Sequence, residues 1–182
     1  MACDLASGKV QVCADVLGGL KEVLVVNFDD LDGTLTVASN AISDSSATFT
    51  AYRFKVRNSS SEKQGAMSTV EIGASGNYHK HSLELVTHGW TTQEHVAFDA
   101  LAKGRFMAFA HDNNGDVWCL GRVRGLEAES GEANLGKETG DFSGYKVTLS
   151  GEEDFPPMYC GAQTTNPLDN WSSATITYSP TY

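Results

Sequence analysis

Proline is scarce in this chain, with four residues in 182, and so is cysteine, also with four. The cysteines stand at Cys3, Cys13, Cys119 and Cys160 and form no C-x-x-C pair. That density is far below a disulfide scaffold. They read as reduced thiols, small apolar residues of a core. No apolar run approaches ~18 residues, so no membrane-crossing helix is expected. The opening Met1-Ala2-Cys3-Asp4 has neither the basic residues nor the apolar stretch of a secretory signal. Positive charge is short as well: 13 Lys and Arg face 23 Asp and Glu, a net charge of −10. A chain so acidic is poorly suited to gripping nucleic-acid phosphates, which need clustered cations.

What is present is an ordinary globular composition, 41% hydrophobic with 18 glycines. The length fits one domain, residues 1–182, with an arm-like N-terminus over about 1–17 and a C-terminal extension over about 156–182. Residues 20–28 (LKEVLVVNF) have a continuous apolar centre, the mark of an interior strand covered on both faces. Residues 29–33 (DDLDG) read as a tight turn before a strand at 34–38. Residues 47–57 alternate, with Tyr52, Phe54 and Val56 on one face and the cations Arg53, Lys55 and Arg57 on the other. Residues 58–68 are polar and small, and read as a mobile excursion. Strands at 69–72 and 80–88 bracket a turn at 73–76.

One helix is well signalled over residues 92–103. Thr91 and Glu94 form a capping box, Ala97, Phe98 and Leu101 share a face, and Gly104 is placed for a left-handed cap. A hairpin follows, with strands at 105–111 and 117–123 about the turn 112–116. Residues 126–142 read as an acidic loop, and residues 144–151 alternate as a strand with Tyr145, Val147 and Leu149 together. The run from 156 onward reads as an arm that gains order by packing on something else. The whole is mainly β: a β-sandwich or partial barrel with one packed α-helix.

The sequence offers no chemical signature. Residues 131–138 imitate a phosphate loop, but Glu138 stands where the magnesium-holding hydroxyl belongs. Residues 112–116 lack the spacing of a calcium loop. His79 and His81 share one side of a strand, with His88 and His95 as further imidazoles, but no spacing fixes a third ligand. They read as exposed strand histidines. No G-x-S-x-G or cysteine signature occurs. Neither an enzyme, a cofactor nor a metal is expected. Of the tryptophans, Trp118 reads as core and Trp90 as a staple at the helix entry, which leaves Trp171 for a sugar-stacking surface.

Two stretches carry a resemblance. Residues 2–5 through 13–23 contain Cys13-Ala14-Asp15-Val16-Leu17-Gly18-Gly19-Leu20-Lys21, a C-x-D-x-x-G-G-L-K run. Residues 126–153 contain Gly140-Asp141-Phe142-Ser143-Gly144-Tyr145 leading into a strand. With the helix and hairpin between them, these resemble small virion proteins of tailed bacteriophages, and the layout over most of residues 1–158 resembles their tail tube proteins. The resemblance implies a β-sandwich subunit that forms rings, six copies to a ring, stacked into a hollow tube in the virion. It would be assembled in the host cytoplasm. Its partners would be itself and other tail or neck proteins, with DNA as cargo that does not stick and with no membrane.

On that reading the assembly interface is Arg53, Lys55, Arg57, Asn58, Ser59, Ser60, Ser61, Glu62, Lys63 and Gln64. The acidic lumen candidates are Glu127, Glu129, Glu132, Glu152 and Glu153. The alternatives are a neck, tail-terminator or capsid decoration protein, a small ligand- or carbohydrate-binding β-sandwich module, and a metal-dependent enzyme using His79 and His81.

Overall fold

The computed structural model describes residues 18–55, 65–73, 76–162 and 166–177. The chain is mainly β, as its alternating apolar runs and scarce helix signals dictate. Among the described residues, twelve strands form one continuous hydrogen-bonded sheet: β1 (Leu20–Asn27), β2 (Leu35–Ala38), β3 (Ala41–Ser45), β4 (Phe49–Lys55), β5 (Gly65–Gly73), β6 (Gly76–His88), β7 (Arg105–Asp112), β8 (Asp116–Leu120), β9 (Leu126–Asn134), β10 (Gly144–Glu153), β11 (Met158–Ala162) and β12 (Ala174–Thr177). The main order is β2-β3-β11-β8-β7-β9-β10-β6-β5; β1 pairs with β7 and β4, and β12 lies parallel to β4. No helix among the described residues is long and apolar enough to cross a membrane.

β1 and β7 are the centre, and both of their faces are buried. Leu24, Val26, Met107 and Phe109 point into one core with Ile42, Phe49 and Trp171. Val23, Val25, Ala108 and Ala110 point the other way, into a second core with Leu83 and Leu85 of β6 and Val147 and Leu149 of β10. Strands from distant parts of the sheet thus face β1 and β7 across these two cores, the architecture of a β-sandwich or partial barrel. The period of two along each strand produces this division. The join is short: only Arg105 and Phe106 of β7 pair with β9.

The helix α2 (Thr92–Lys103) has the bounds the capping signals predict. Thr91 Oγ1 accepts the Glu94 N–H at 3.2 Å, and the Glu94 carboxylate accepts the Thr91 N–H at 3.0 Å. Leu101 is buried, and Phe98 sits over Gly131 of β9 and against the Tyr145 ring. The end of the helix differs from expectation. Gly104 takes φ −90° and ψ 173°, an extended cap rather than a left-handed one. Glycine is useful there because the Phe106 ring stands 2.4 Å from where a Cβ would be.

Other expectations are corrected. Residues 29–33 are not a plain turn: a one-turn helix, α1 (Phe28–Leu31), buries Phe28 and Leu31 before the chain bends. Leu126–Asn134, expected as loop, is the strand β9, whose glutamates face outward while its backbone pairs with β10. Residues 65–68 belong to β5. The described part of the C-terminal run packs on its own chain. Trp171 is buried edge-on to Phe49 and Phe109, with ring centroids 6.0 and 5.5 Å apart, and the Ser172 and Ser173 hydroxyls each donate to Asp44 at 3.0 Å. Asp44 is held below the usual aspartate pKa first by the Ser45 N–H.

Candidate functional site

The period of two sorts the charged residues of the second half of the sheet onto one outer face. On β10, Val147 and Leu149 point inward, so Lys146 and Glu152 point outward. On β6, Leu83 and Leu85 point inward, so Lys80 and Glu84 point outward. β9 adds the exposed Glu127, Glu129 and Glu132, which reach one face despite their mixed parity because the register with β10 shifts between Thr148 and Leu149 and leaves Glu129 as the extra residue. Five carboxylates therefore share this face with two lysines. Lys146 pairs with Glu84 at 2.6 Å and Lys80 with Glu129 at 3.0 Å. The Lys80 bond holds Glu129 below the usual glutamate pKa and raises that of Lys80. Glu127, Glu132 and Glu152 leave the face acidic, and four of the five expected lumen carboxylates lie on it.

The fifth, Glu153, does not. One step along β10 turns it inward, where it is buried. Its carboxylate accepts the Val123 N–H at 3.0 and 3.1 Å and the Arg124 N–H at 2.8 Å. It is the anchor of the bend at residues 121–125. That bend passes so close to β10 that a Cβ on Gly151 would lie 2.2 Å from the Gly125 carbonyl oxygen. Such an anchored carboxylate satisfies backbone donors that burial would otherwise orphan.

The expected cation row is also reorganised. Arg53 points along the first core, and its guanidinium meets the Glu22 carboxylate. Glu22 is 1% exposed, and its other oxygen lies 2.9 Å from His111 Nδ1. Arg53 is therefore committed within its own subunit. Lys55 is exposed at the end of β4. Arg57, and Asn58 through Gln64, lie outside the described residues, as do Cys3 and Cys13 and the arm over 1–17. No local signal marks Glu22 and His111 as partners, because they meet only through the β1–β7 pairing, 89 positions apart.

The histidine pair divides in the same way. His81 is buried, correcting its reading as exposed, and its Nδ1 accepts the Gly121 N–H at 3.3 Å. Burial pushes its pKa below the ordinary value. His79 is half-buried. Among the described residues no three His, Cys, Asp or Glu side chains converge as metal ligands.

The tryptophans exchange places. Trp171 is core, whereas Trp118 is 38% exposed, its ring 5.3 Å from that of Tyr159. Trp90 is also exposed; it lies against Tyr145, and its Nε1 donates to the Asn134 carbonyl at 3.1 Å.

Two apolar features remain. An apolar groove of about 1000 Å³ lies between α2 and the β1–β4 pair, lined by Val25, Phe54, Leu85, Val96 and Phe98. At the far edge, the β5–β6 hairpin carries Val70 and Ile72, which are 60% and 86% exposed. Comparison with known proteins finds no match: no family model, no curated protein and no solved structure resembles the chain significantly.

Proposed function

We propose that this protein is a structural, non-enzymatic subunit that assembles with copies of itself into stacked rings, forming the tail tube of a bacteriophage. The observation that carries this reading is the acid-rich outer face of β6, β9 and β10. A tube that conducts DNA must not hold it, because each cation that contacts a phosphate adds salt-dependent affinity. A wall of carboxylates repels the polymer within a Debye length of about 8 Å at physiological salt. The exposed Val70 and Ile72 support self-assembly, since β-branched residues at an edge hairpin are covered when strands of neighbouring copies meet them. The resemblance in residues 13–21 and 140–145 is the remaining support for this reading.

Electron microscopy of the purified protein tests the proposal. Rings or tubes are expected, and tubes are expected not to retain DNA at physiological salt. Glu127→Lys, Glu129→Lys and Glu132→Lys together should make the tubes bind DNA. A compact monomer at every concentration and salt refutes the assembly. Tight DNA binding by unaltered tubes refutes the repulsive wall.

A second reading is a carbohydrate-binding module. The exposed Trp118–Tyr159 pair favours it, with Asp116 accepting the Tyr159 hydroxyl at 3.1 Å. Stacking rings beside a carboxylate suit a sugar's apolar face and hydroxyls. Glycan binding abolished by Trp118→Ala would select this reading; absence of binding across a broad glycan panel rejects it.

A further inference from the structure

We propose that Cys119 and Cys160 close into a disulfide when the protein meets a small-molecule disulfide such as glutathione disulfide, stapling β11 and the chain beyond it onto β8. The two strands pair antiparallel, with Met158 opposite Cys119 and Tyr159 opposite Trp118. Cys160 stands two residues beyond Met158, so it projects from the same face as Cys119 as its diagonal neighbour. Both thiols are buried in the first core, each 1% exposed. Cys160 Sγ donates to the Met158 carbonyl at 3.7 Å, and the neighbouring Cys160 thiol is the first cause that raises the Cys119 pKa.

A disulfide needs Cα atoms within roughly 4.4–6.8 Å, whereas diagonal neighbours on paired strands stand about 7–8 Å apart, so the backbone of one strand has to move in by about 1 Å. The adjustment is available in β11. Its pairing with β8 shifts register between Tyr159 and Ala162, and its other edge is tied to β3 by the single bridge Tyr159–Ala41. A bulged, weakly held strand shifts more readily than the β1–β7 centre.

Burial keeps both sulfurs out of reach of a soluble oxidant while β11 is seated, so oxidation proceeds through its opening. The exposed Cys160 thiol loses its proton, and the thiolate attacks one sulfur of glutathione disulfide. The S–S bond breaks and a glutathione thiolate leaves, taking up a proton. When β11 closes again, the deprotonated Cys119 sulfur attacks the Cys160 sulfur and expels the second glutathione. The protein loses two electrons and two protons, and one glutathione disulfide becomes two thiols. Nothing in this depends on what the protein assembles into.

The test uses the full chain carrying Cys3→Ser and Cys13→Ser, incubated with glutathione disulfide, alkylated and digested with trypsin. Cys119 falls in peptide 106–122 and Cys160 in peptide 147–182. The two peptides should be recovered joined. The thermal midpoint of the oxidised protein should exceed that of the reduced protein by about 5–15 °C, and reductant should reverse the rise. Cys119→Ser and Cys160→Ser variants, each compared before and after oxidation so that baseline stability cancels, should show no rise. Recovery of glutathione adducts or free thiols alone, under conditions that oxidise the urea-unfolded chain, overturns the proposal. Joined peptides with a lowered midpoint overturn it too, because the native pairing would then have to distort to accept the bond.

Discussion

Replacing Glu22 with Gln tests the charge arrangement at the centre of the fold. The Glu22 carboxylate is 1% exposed and serves two donors, the Arg53 guanidinium on one oxygen and His111 Nδ1 on the other. A carboxylate accepts on both oxygens, whereas an amide presents one oxygen and one NH₂. Either the Arg53 guanidinium faces the amide NH₂, donor against donor, or His111 has to move its proton from Nδ1 to Nε2 so that Nδ1 accepts. A buried donor left unsatisfied costs about 1–3 kcal/mol, and losing the charge of the remaining hydrogen bond adds about 1 kcal/mol. Arg53 keeps 19% of its side chain in solvent, which screens its stranded charge. Glu22→Gln should therefore cost about 2–4 kcal/mol, at or below the 3–5 kcal/mol typical of a fully buried broken pair.

Arg53→Met strands the buried carboxylate instead and should cost about 3–5 kcal/mol. The double variant should be less destabilised than the sum of the two, with a coupling of at least about 1 kcal/mol. Urea unfolding at pH 7 reads all four proteins, provided the slope with urea is unchanged. A Glu22→Gln protein within about 0.5 kcal/mol of the original, or strictly additive losses, would refute the arrangement. One consequence concerns assembly: Arg53→Glu should unfold the subunit by facing Glu22, so charge reversal for an interface belongs at the exposed Lys55.

Thr91→Ala should cost about 0.5–2 kcal/mol by opening the capping box, and Leu101→Ala about 2–5 kcal/mol; unchanged thermal unfolding of the Leu101 variant contradicts the helix seat. The lowered pKa of buried His81 makes the unfolded chain bind a proton first as pH falls below about 6.5. Stability should therefore be fully present above that pH and fall below it, by at most about 1.4 kcal/mol per pH unit. His81→Gln should flatten this slope in urea midpoints between pH 7 and 5. The bonded carboxylates Asp44, Glu129 and Asp141 act in a separate window, losing their contribution only as pH falls through and below the ordinary carboxylate range. Val70→Asp with Ile72→Asp should leave subunit stability within about 0.5 kcal/mol and abolish rings or tubes in micrographs; normal tubes would remove the hairpin from the interface.

The local elements are legible in the chain alone. The capping box at Thr91 and Glu94 is complete within four residues, so α2 was legible with its bounds. The apolar centre of β1 announced a strand buried on both sides, and the 112–116 turn announced the β7–β8 hairpin.

Tertiary structure decided everything that depends on which strands become neighbours. Glu152 and Glu153 are equivalent letters in the sequence, but the β10 register sends one to water and the other to the amides of Val123 and Arg124. Arg53 reads as one of three like cations until β1 places Glu22 beside it. Trp118 and Trp171 traded exposure because burial follows from position in the packed sheet, and an indole's sequence surroundings record only one of its two faces. The adjacency of Cys119 and Cys160 likewise exists only through the β8–β11 pairing. Periodicity is a local property of the chain, whereas long-range pairing is fixed by the joint burial of surfaces far apart in sequence, and only the folded chain brings these together.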